Sequence, residues 1–308
     1  MERIGFIGLG NMGRPMASNL VRKGFGLTAF DVNPVPLRQL VQLGATAAAD
    51  CAAVAAGSDI VVTMLPNSAS VEEVLAGPDG VLARLRPGCA VMDMSTVDPM
   101  LTDRVAVAAA GQGVAFVDAP VGRLASHAER GESLFMVGAT AEAFARVKPL
   151  LEAMGTTIHH CGPAGAGIRT KLVNNYLAIV ACAFNAEALA LSQQFGLSLE
   201  KTLAVIHGTT ATNGQLKIAW AAKVLQGDTE PGFTIDLAHK DLTLIVDAAN
   251  AVTVPMPIGA AARESFSAAR SQGQGAKDFS AMVDVLCDLA HIARPRISSA
   301  EPGKRGTG

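Results

Sequence analysis

The segment that most constrains this chain is residues 4–13. An apolar run, Ile4-Gly5-Phe6-Ile7, passes directly into Gly8-Leu9-Gly10-Asn11-Met12-Gly13, and MASNLVRKG follows. The short apolar run reads as a buried strand, and the stretch after the third glycine reads as a helix. A G-x-G-x-x-G string is weak evidence by itself. Between a strand and a helix it has a mechanism: Gly8 permits the tight turn, Gly10 lets backbone approach a pyrophosphate, and Gly13 lets helix and strand pack closely. The helix N-terminus adds free N–H groups and a partial positive charge. Asn11 and Met12 complete the turn and belong to the same expected dinucleotide site. Asp31 lies 18 residues beyond Gly13, at the end of the next strand (27–31), where a carboxylate can accept hydrogen bonds from an adenine ribose. It would repel a 2′-phosphate, and Val32-Asn33-Pro34 holds no arginine to compensate, although Arg38 on the next helix could reach back. NADH is therefore expected over NADPH.

Further short apolar runs follow at 59–66, 90–96, 114–120, 133–139 and 156–162, separated by helical periodicities. Strands alternating with helices predict an α/β domain with a doubly wound parallel sheet, covered on both faces. Strand carboxyl ends line the ligand crevice of such sheets. This places Leu65 and Pro66 on the adenosine side and Thr96 near the nicotinamide. Past Cys161-Gly162-Pro163 the pattern changes to long helices, the first of some 25 residues or more, with later starts near Ser198, Gly214, Ile235 and Pro257. The expected organisation is a dinucleotide-binding domain over 1–162, an all-helical domain over 163–295, and a disordered polar tail over 296–308.

Composition narrows the function classes. Half of the 308 residues are hydrophobic and 17% are charged, so a large core is available. A formal charge of −2 offers no basic excess for nucleic acid. Five scattered cysteines without a C-x-x-C pair argue against a disulfide framework or a metal site. The glycine turn begins too early for a signal-peptide core, and the apolar run 172–191 carries Asn174, Asn175, Asn185 and Glu187, which disfavours a bilayer span. A cytoplasmic protein is expected. His159-His160 lacks metal-site spacing and reads as surface, and Glu129, Arg130 and Glu132 read as a solvated loop.

Lys171 stands near the start of the long helix, with Asn175 four residues on, so both share one face. A lysine in a closed site can be tuned below its free pKa of ~10.4 and exchange a proton with a carbonyl or hydroxyl oxygen. Two asparagines on an otherwise apolar helix need polar partners, because a buried unpaired amide costs ~1–3 kcal/mol.

Together, Gly8–Gly13, Asp118-Ala119-Pro120-Val121, Gly165-x-Gly167, Lys171-x-x-Asn174-Asn175 and Phe233–Leu242 resemble the β-hydroxyacid dehydrogenase family over residues 1 to about 290. The resemblance implies NAD(P)-dependent interconversion of 3-hydroxy acids and semialdehydes, with Lys171 moving the proton, Asn174 and Asn175 on substrate, and Lys240 on the cofactor side. It also implies a homodimer or homotetramer. Most members have serine-glycine-glycine after D-x-P-V, where this chain has Gly122-Arg123-Leu124. That departure resembles the sulfolactaldehyde reductase branch, in which the arginine reads a sulfonate, with Ser95, Gly122 and Ala178 completing the implied substrate contacts. A guanidinium offers a sulfonate a planar, permanently charged donor fork. Carboxylate substrates of the 3-hydroxyisobutyrate, succinic semialdehyde or tartronic semialdehyde type are the alternative.

Overall fold

A computed structural model describes residues 2–297. The chain divides into two compact units, one running through Val173 and the other beginning at Asn174.

The first unit is built on a nine-stranded sheet: β1 (Ile4–Ile7), β2 (Leu27–Phe30), β3 (Thr46–Ala47), β4 (Ile60–Thr63), β5 (Ala90–Asp93), β6 (Ala115–Asp118), β7 (Val121–Gly122), β8 (Ser133–Gly138) and β9 (Gly155–Gly162). The order is β3-β2-β1-β4-β5-β6-β8-β7, with β9 on β8. From β3 to β6 every pair is parallel, as expected. Beyond β6 the direction reverses. β8 meets β6 at the single pair Asp118–Gly138, then runs antiparallel to β7, with Val121 opposite Phe135 and Gly122 opposite Leu134. The two-residue strands β3 and β7 are too short to carry a periodic signal, which is why they escape a sequence reading.

Side chains alternate across the central strands. Phe6, Val62, Met92 and Val117 join one core with Met16, Leu20, Phe135 and Leu150. Ile7, Val61, Val91 and Phe116 join a second core on the opposite face, with Val54, Leu101 and Val105. Two filled faces explain strands that read as nearly continuous apolar runs. The flanking helices are α1 (Gly13–Arg22), α2 (Pro34–Gln42), α3 (Cys51–Ala56), α4 (Ser68–Ala76), α5 (Val81–Arg84), α6 (Pro99–Gly111), α7 (Ala125–Glu129) and α8 (Ala141–Met154). Asn33, Asp50, Asn67, Asp98 and Thr140 cap five of them by accepting backbone N–H bonds. Part of the charged run thus lies in α7 rather than in loop. The imidazole of His160 stacks on Phe144 at 4.5 Å.

Helix α9 spans Ala166–Gln194, 29 residues. By length and composition it could cross a membrane, yet it carries Lys171, and 56% of its apolar window is buried inside the protein. In the second unit follow α10 (Leu199–His207), a π-helical segment Gln215–Trp220, α11 (Ile235–Ala251), α12 (Pro257–Ser271) and α13 (Met282–Leu289). The expected starts near 198, 214, 235 and 257 lie at these helices, with Ser198 and Thr234 as caps. Among the described residues this unit has only one isolated bridge, Thr234–Asp278, outside helices and turns. Arg296 pairs with Asp284 at 2.7 and 2.9 Å, and the Ile297 amide donates to the Leu225 carbonyl, so the chain is held up to there. The rest of the expected tail, 298–308, lies outside the described residues.

Candidate active site

The glycine turn joins β1 to α1. Gly8 has φ +94°, and a Cβ there would collide with the Met64 carbonyl on the neighbouring strand end. A Cβ on Gly13 would strike the Gly8 carbonyl, so Gly13 closes the turn onto itself. Gly10 differs, with nothing within 4 Å of where its Cβ would be. Its missing side chain leaves space rather than permitting contact. Leu9, Gly10, Asn11, Arg14, Asp31 and Asn33 line a cleft of about 360 Å³ beside this turn. A glycine that leaves open space next to a helix N-terminus fits a pyrophosphate. Met12 immediately precedes α1 and packs partly into the core.

Asp31 accepts from the Leu9 amide at 2.5 Å and from the Asn33 amide at 2.7 Å. Its carboxylate therefore ties the end of β2 to the glycine turn while facing the cleft. The arginine lining this cleft is Arg14 rather than Arg38, and it pairs with Glu129 at 3.8 Å.

At the ends of β4 and β5, Asp93 gathers a buried network. Thr63 Oγ1 and Ser95 Oγ donate to the same carboxylate oxygen at 2.7 and 2.6 Å, and Ser95 Oγ accepts from the Leu65 amide at 2.9 Å. Burial pushes the Asp93 carboxyl up against these hydrogen bonds. Ser95 was expected on substrate. It is 2% exposed, and its hydroxyl is used in both directions to bridge the ends of two strands. Leu65 and Thr96 are half-buried nearby, and Pro66 is exposed.

Lys171 is 9% exposed, and its Nζ donates to the Val121 carbonyl at 2.7 Å. A Cβ on Gly122 would lie 3.2 Å from Leu134, so the strand there is close-packed. Arg123 follows at φ +70°. Its Nη1 donates to the Glu132 carbonyl at 2.6 Å and to Thr156 Oγ1 at 3.2 Å, and its Nη2 to Thr157 Oγ1 at 3.2 Å. All three acceptors are neutral, and among the described residues Arg123 makes no ion pair with an acid.

Asp118 is the group that sequence reasoning quoted as a motif without giving it a task. It is 2% exposed and accepts from the amides of Gly165 and Ile168, at 2.6 and 2.7 Å, at the start of α9. An acidic residue ending a buried strand is the signal that points to it.

In the second unit, Asp241 organises the remaining residues. Asn175 Nδ2 donates to Asp241 Oδ2 at 2.7 Å, and Lys240 Nζ lies 3.1 Å from Oδ1. Asn174 Nδ2 donates to Asn175 Oδ1 at 3.2 Å. Gln215 Nε2 donates to the Ala178 carbonyl at 3.1 Å. The partners that the paired asparagines require are therefore a carboxylate and each other. His239 is turned to Ser267 and Arg270, and Trp220 is fully buried.

Residues 3–162 match the family described as the NAD binding domain of 6-phosphogluconate dehydrogenase, and residues 165–286 match the NAD-binding domain of NADP-dependent 3-hydroxyisobutyrate dehydrogenase. The 3-sulfolactaldehyde reductase of Escherichia coli is 45% identical over 284 residues, 92% of this chain and 95% of that one. The 3-hydroxyisobutyrate dehydrogenase of Pseudomonas aeruginosa is 39% identical, covering 87% and 92% of the two chains. A solved Mycobacterium tuberculosis 3-hydroxyisobutyrate dehydrogenase with L-serine superposes with a TM-score of 0.87 at 32% identity, covering 93% of this chain and 99% of that one. With a dinucleotide fold, a lysine on the following helix and relatives matched along nearly their whole length, this chain belongs to the β-hydroxyacid (3-hydroxyisobutyrate-type) dehydrogenase family and is an NAD(P)-binding oxidoreductase of the CH–OH/aldehyde class.

Proposed function

We propose that the enzyme reduces 3-sulfolactaldehyde to 2,3-dihydroxypropane-1-sulfonate with NADH. One observation carries the reading: Lys171 Nζ rests on the Val121 carbonyl, and two residues later stands an arginine whose hydrogen-bond partners are all neutral. The proton donor and the anion reader are thus anchored on one short stretch. Similarity to the Escherichia coli reductase supports the same choice.

When bound, a reduced nicotinamide supplies the hydride. Gly8, Gly10, Asn11, Met12 and Gly13 hold its pyrophosphate side, with Leu65, Pro66, Thr96 and Lys240 as further cofactor contacts. Asp31 takes the ribose and disfavours a 2′-phosphate. Lys171 gives a proton to the forming alkoxide, and its burial keeps bulk water from competing for that oxygen. Arg123 holds the sulfonate, with Gly122, Asn174, Asn175 and Ala178 shaping the rest of the contact. Asp241 fixes the orientation of the Asn175 amide, whose Oδ1 in turn accepts from Asn174. The protein works in the cytoplasm as a homodimer or homotetramer.

The test is a panel of aldehydes matched in length and differing only in sulfonate or carboxylate, assayed with NADH and with NADPH. The expected result is a kcat/KM for the sulfonate at least about tenfold higher, which is ~1.4 kcal/mol at the anion contact. Carboxylate preference would assign the enzyme instead to 3-hydroxyisobutyrate or semialdehyde acids.

A further inference from the structure

We infer that Asp118 is a positioning residue for Lys171, its carboxylate fixing the start of α9 and with it the point from which the lysine leaves the helix; this rests on Lys171 as proton donor. The first amides of a helix lack intrahelical partners. Here the carboxylate of another element takes two of them. Oδ1 accepts from Gly165 N at 2.6 Å and Oδ2 from Ile168 N at 2.7 Å. A negative group at this end also opposes the positive pole of a 29-residue helix.

Lys171 follows Ile168 by three residues, and its Nζ returns to Val121, three residues after Asp118. Residues 118–121 therefore grip the lysine at both ends, through the helix start and through the ammonium group. Two glycines make the carboxylate's place unforgiving. A Cβ on Gly138 would strike Asp118 Oδ1, and one on Gly167 would lie 2.8 Å from Oδ2. Arg169 pairs with Asp103 at 2.6 and 3.0 Å, which docks the same helical turn onto α6.

The charged groups at this corner are Asp93 from β5, Arg169 and Lys171 from α9, and Asp103 from α6; His160 on β9 is turned to the Ala139 carbonyl. Burial, with Asp93 adding to it, pushes the Asp118 carboxyl up to about 6 against the two amide bonds. Protonation converts one oxygen to a hydroxyl and removes one of two strong acceptors, so the cap weakens as pH falls through that value.

The first test uses the intact enzyme without substitution. Amide hydrogen exchange is compared near pH 7 and pH 5 after correction for intrinsic rates. Residues 165–171 should lose protection roughly tenfold on acidification, the scale of one charge-assisted hydrogen bond, while β1 to β5 do not. Unchanged protection there overturns the inference. The second test is Asp118→Asn, with folding checked by NADH affinity in a fluorescence titration. The expected result is a kcat lower by roughly 10–100-fold, an NADH Kd within about twofold of wild type, and loss of the acid limb of kcat near pH 6. A wild-type kcat, or an acid limb that persists in the variant, overturns it. If Asp118→Asn does not fold, the exchange result decides alone. An active Lys171→Ala would sink the proton-donor reading and leave the exchange result standing, so the two failures are distinguishable.

Discussion

At the glycine turn, recognition is built by leaving side chains out: Gly8 and Gly13 let backbone close on backbone, and Gly10 keeps a volume empty. At the Asp118–Lys171 corner, it is built by bringing ionisable side chains in and burying them, each matched to a backbone group of a distant segment. The first region is local, spanning residues 4–13 and the ends of two neighbouring strands. The second joins segments about 50 residues apart. The turn offers shape and a helix dipole, which depend little on pH, whereas the corner holds groups that can gain or lose protons. Substitutions in the two should therefore fail differently.

The largest expected effect separates chemistry from binding. Lys171→Ala should lower kcat by ~10²–10⁴, the range for a lost general acid, while NADH binding persists. Single-turnover and equilibrium titration check this together; near wild-type turnover would sink the comparison as drawn.

The next effect is on stability. The folded-state carboxyl of Asp118 is raised from 3.8 to about 6, so the native protein takes up this proton before the unfolded chain does. This group's contribution therefore favours the native state at low pH and is lost as pH rises from about 4 to about 6, by up to roughly 3 kcal/mol. Stability and lysine positioning thus respond to the same proton in opposite directions. Denaturant unfolding of wild type and Asp118→Asn across that window should show the shallower pH dependence in the variant.

Within the turn, Gly13→Ala and Gly10→Ala should part company. Gly13→Ala forces a methyl onto the Gly8 carbonyl and should destabilise the first unit by roughly 1–3 kcal/mol. Gly10→Ala meets nothing in the protein and should leave Tm unchanged while weakening NADH binding. Calorimetry and a binding titration distinguish them; equal loss of Tm in both would deny that Gly10 reserves space for a ligand. The smallest effect is at the cleft rim. Asp31→Ser removes a negative charge from a cleft that Arg14 also lines, and should move the NADPH/NADH ratio of kcat/KM upward by about tenfold.

This contrast also explains what was legible in the sequence. The turn, the central parallel strands and the helix starts at Ser198 and Thr234 follow from local patterns, because local rules of sterics and capping generate them. The antiparallel β7–β8 excursion was not legible: a two-residue strand has no period, and its pairing depends on a partner twelve or more residues away. Lys171, Asn174 and Asn175 stood out as polar groups on an apolar helix. Their pairing with Val121 and Asp241 did not, although both lie in recognised motifs, because a hydrogen bond between distant segments leaves no spacing rule. The bonds of Ser95 to Asp93 and Leu65 were no more legible, because they too join separate strand ends.

Arg123 carries one more consequence. A non-glycine residue at φ +70° pays about 1 kcal/mol in backbone strain, and glycine would take that conformation freely. The bent turn is held by the guanidinium's own bonds to Glu132, Thr156 and Thr157, which offset the strain. Arg123→Gly would relieve that strain and lose all three bonds at once, so the turn is bent at a residue whose own side chain holds the bend.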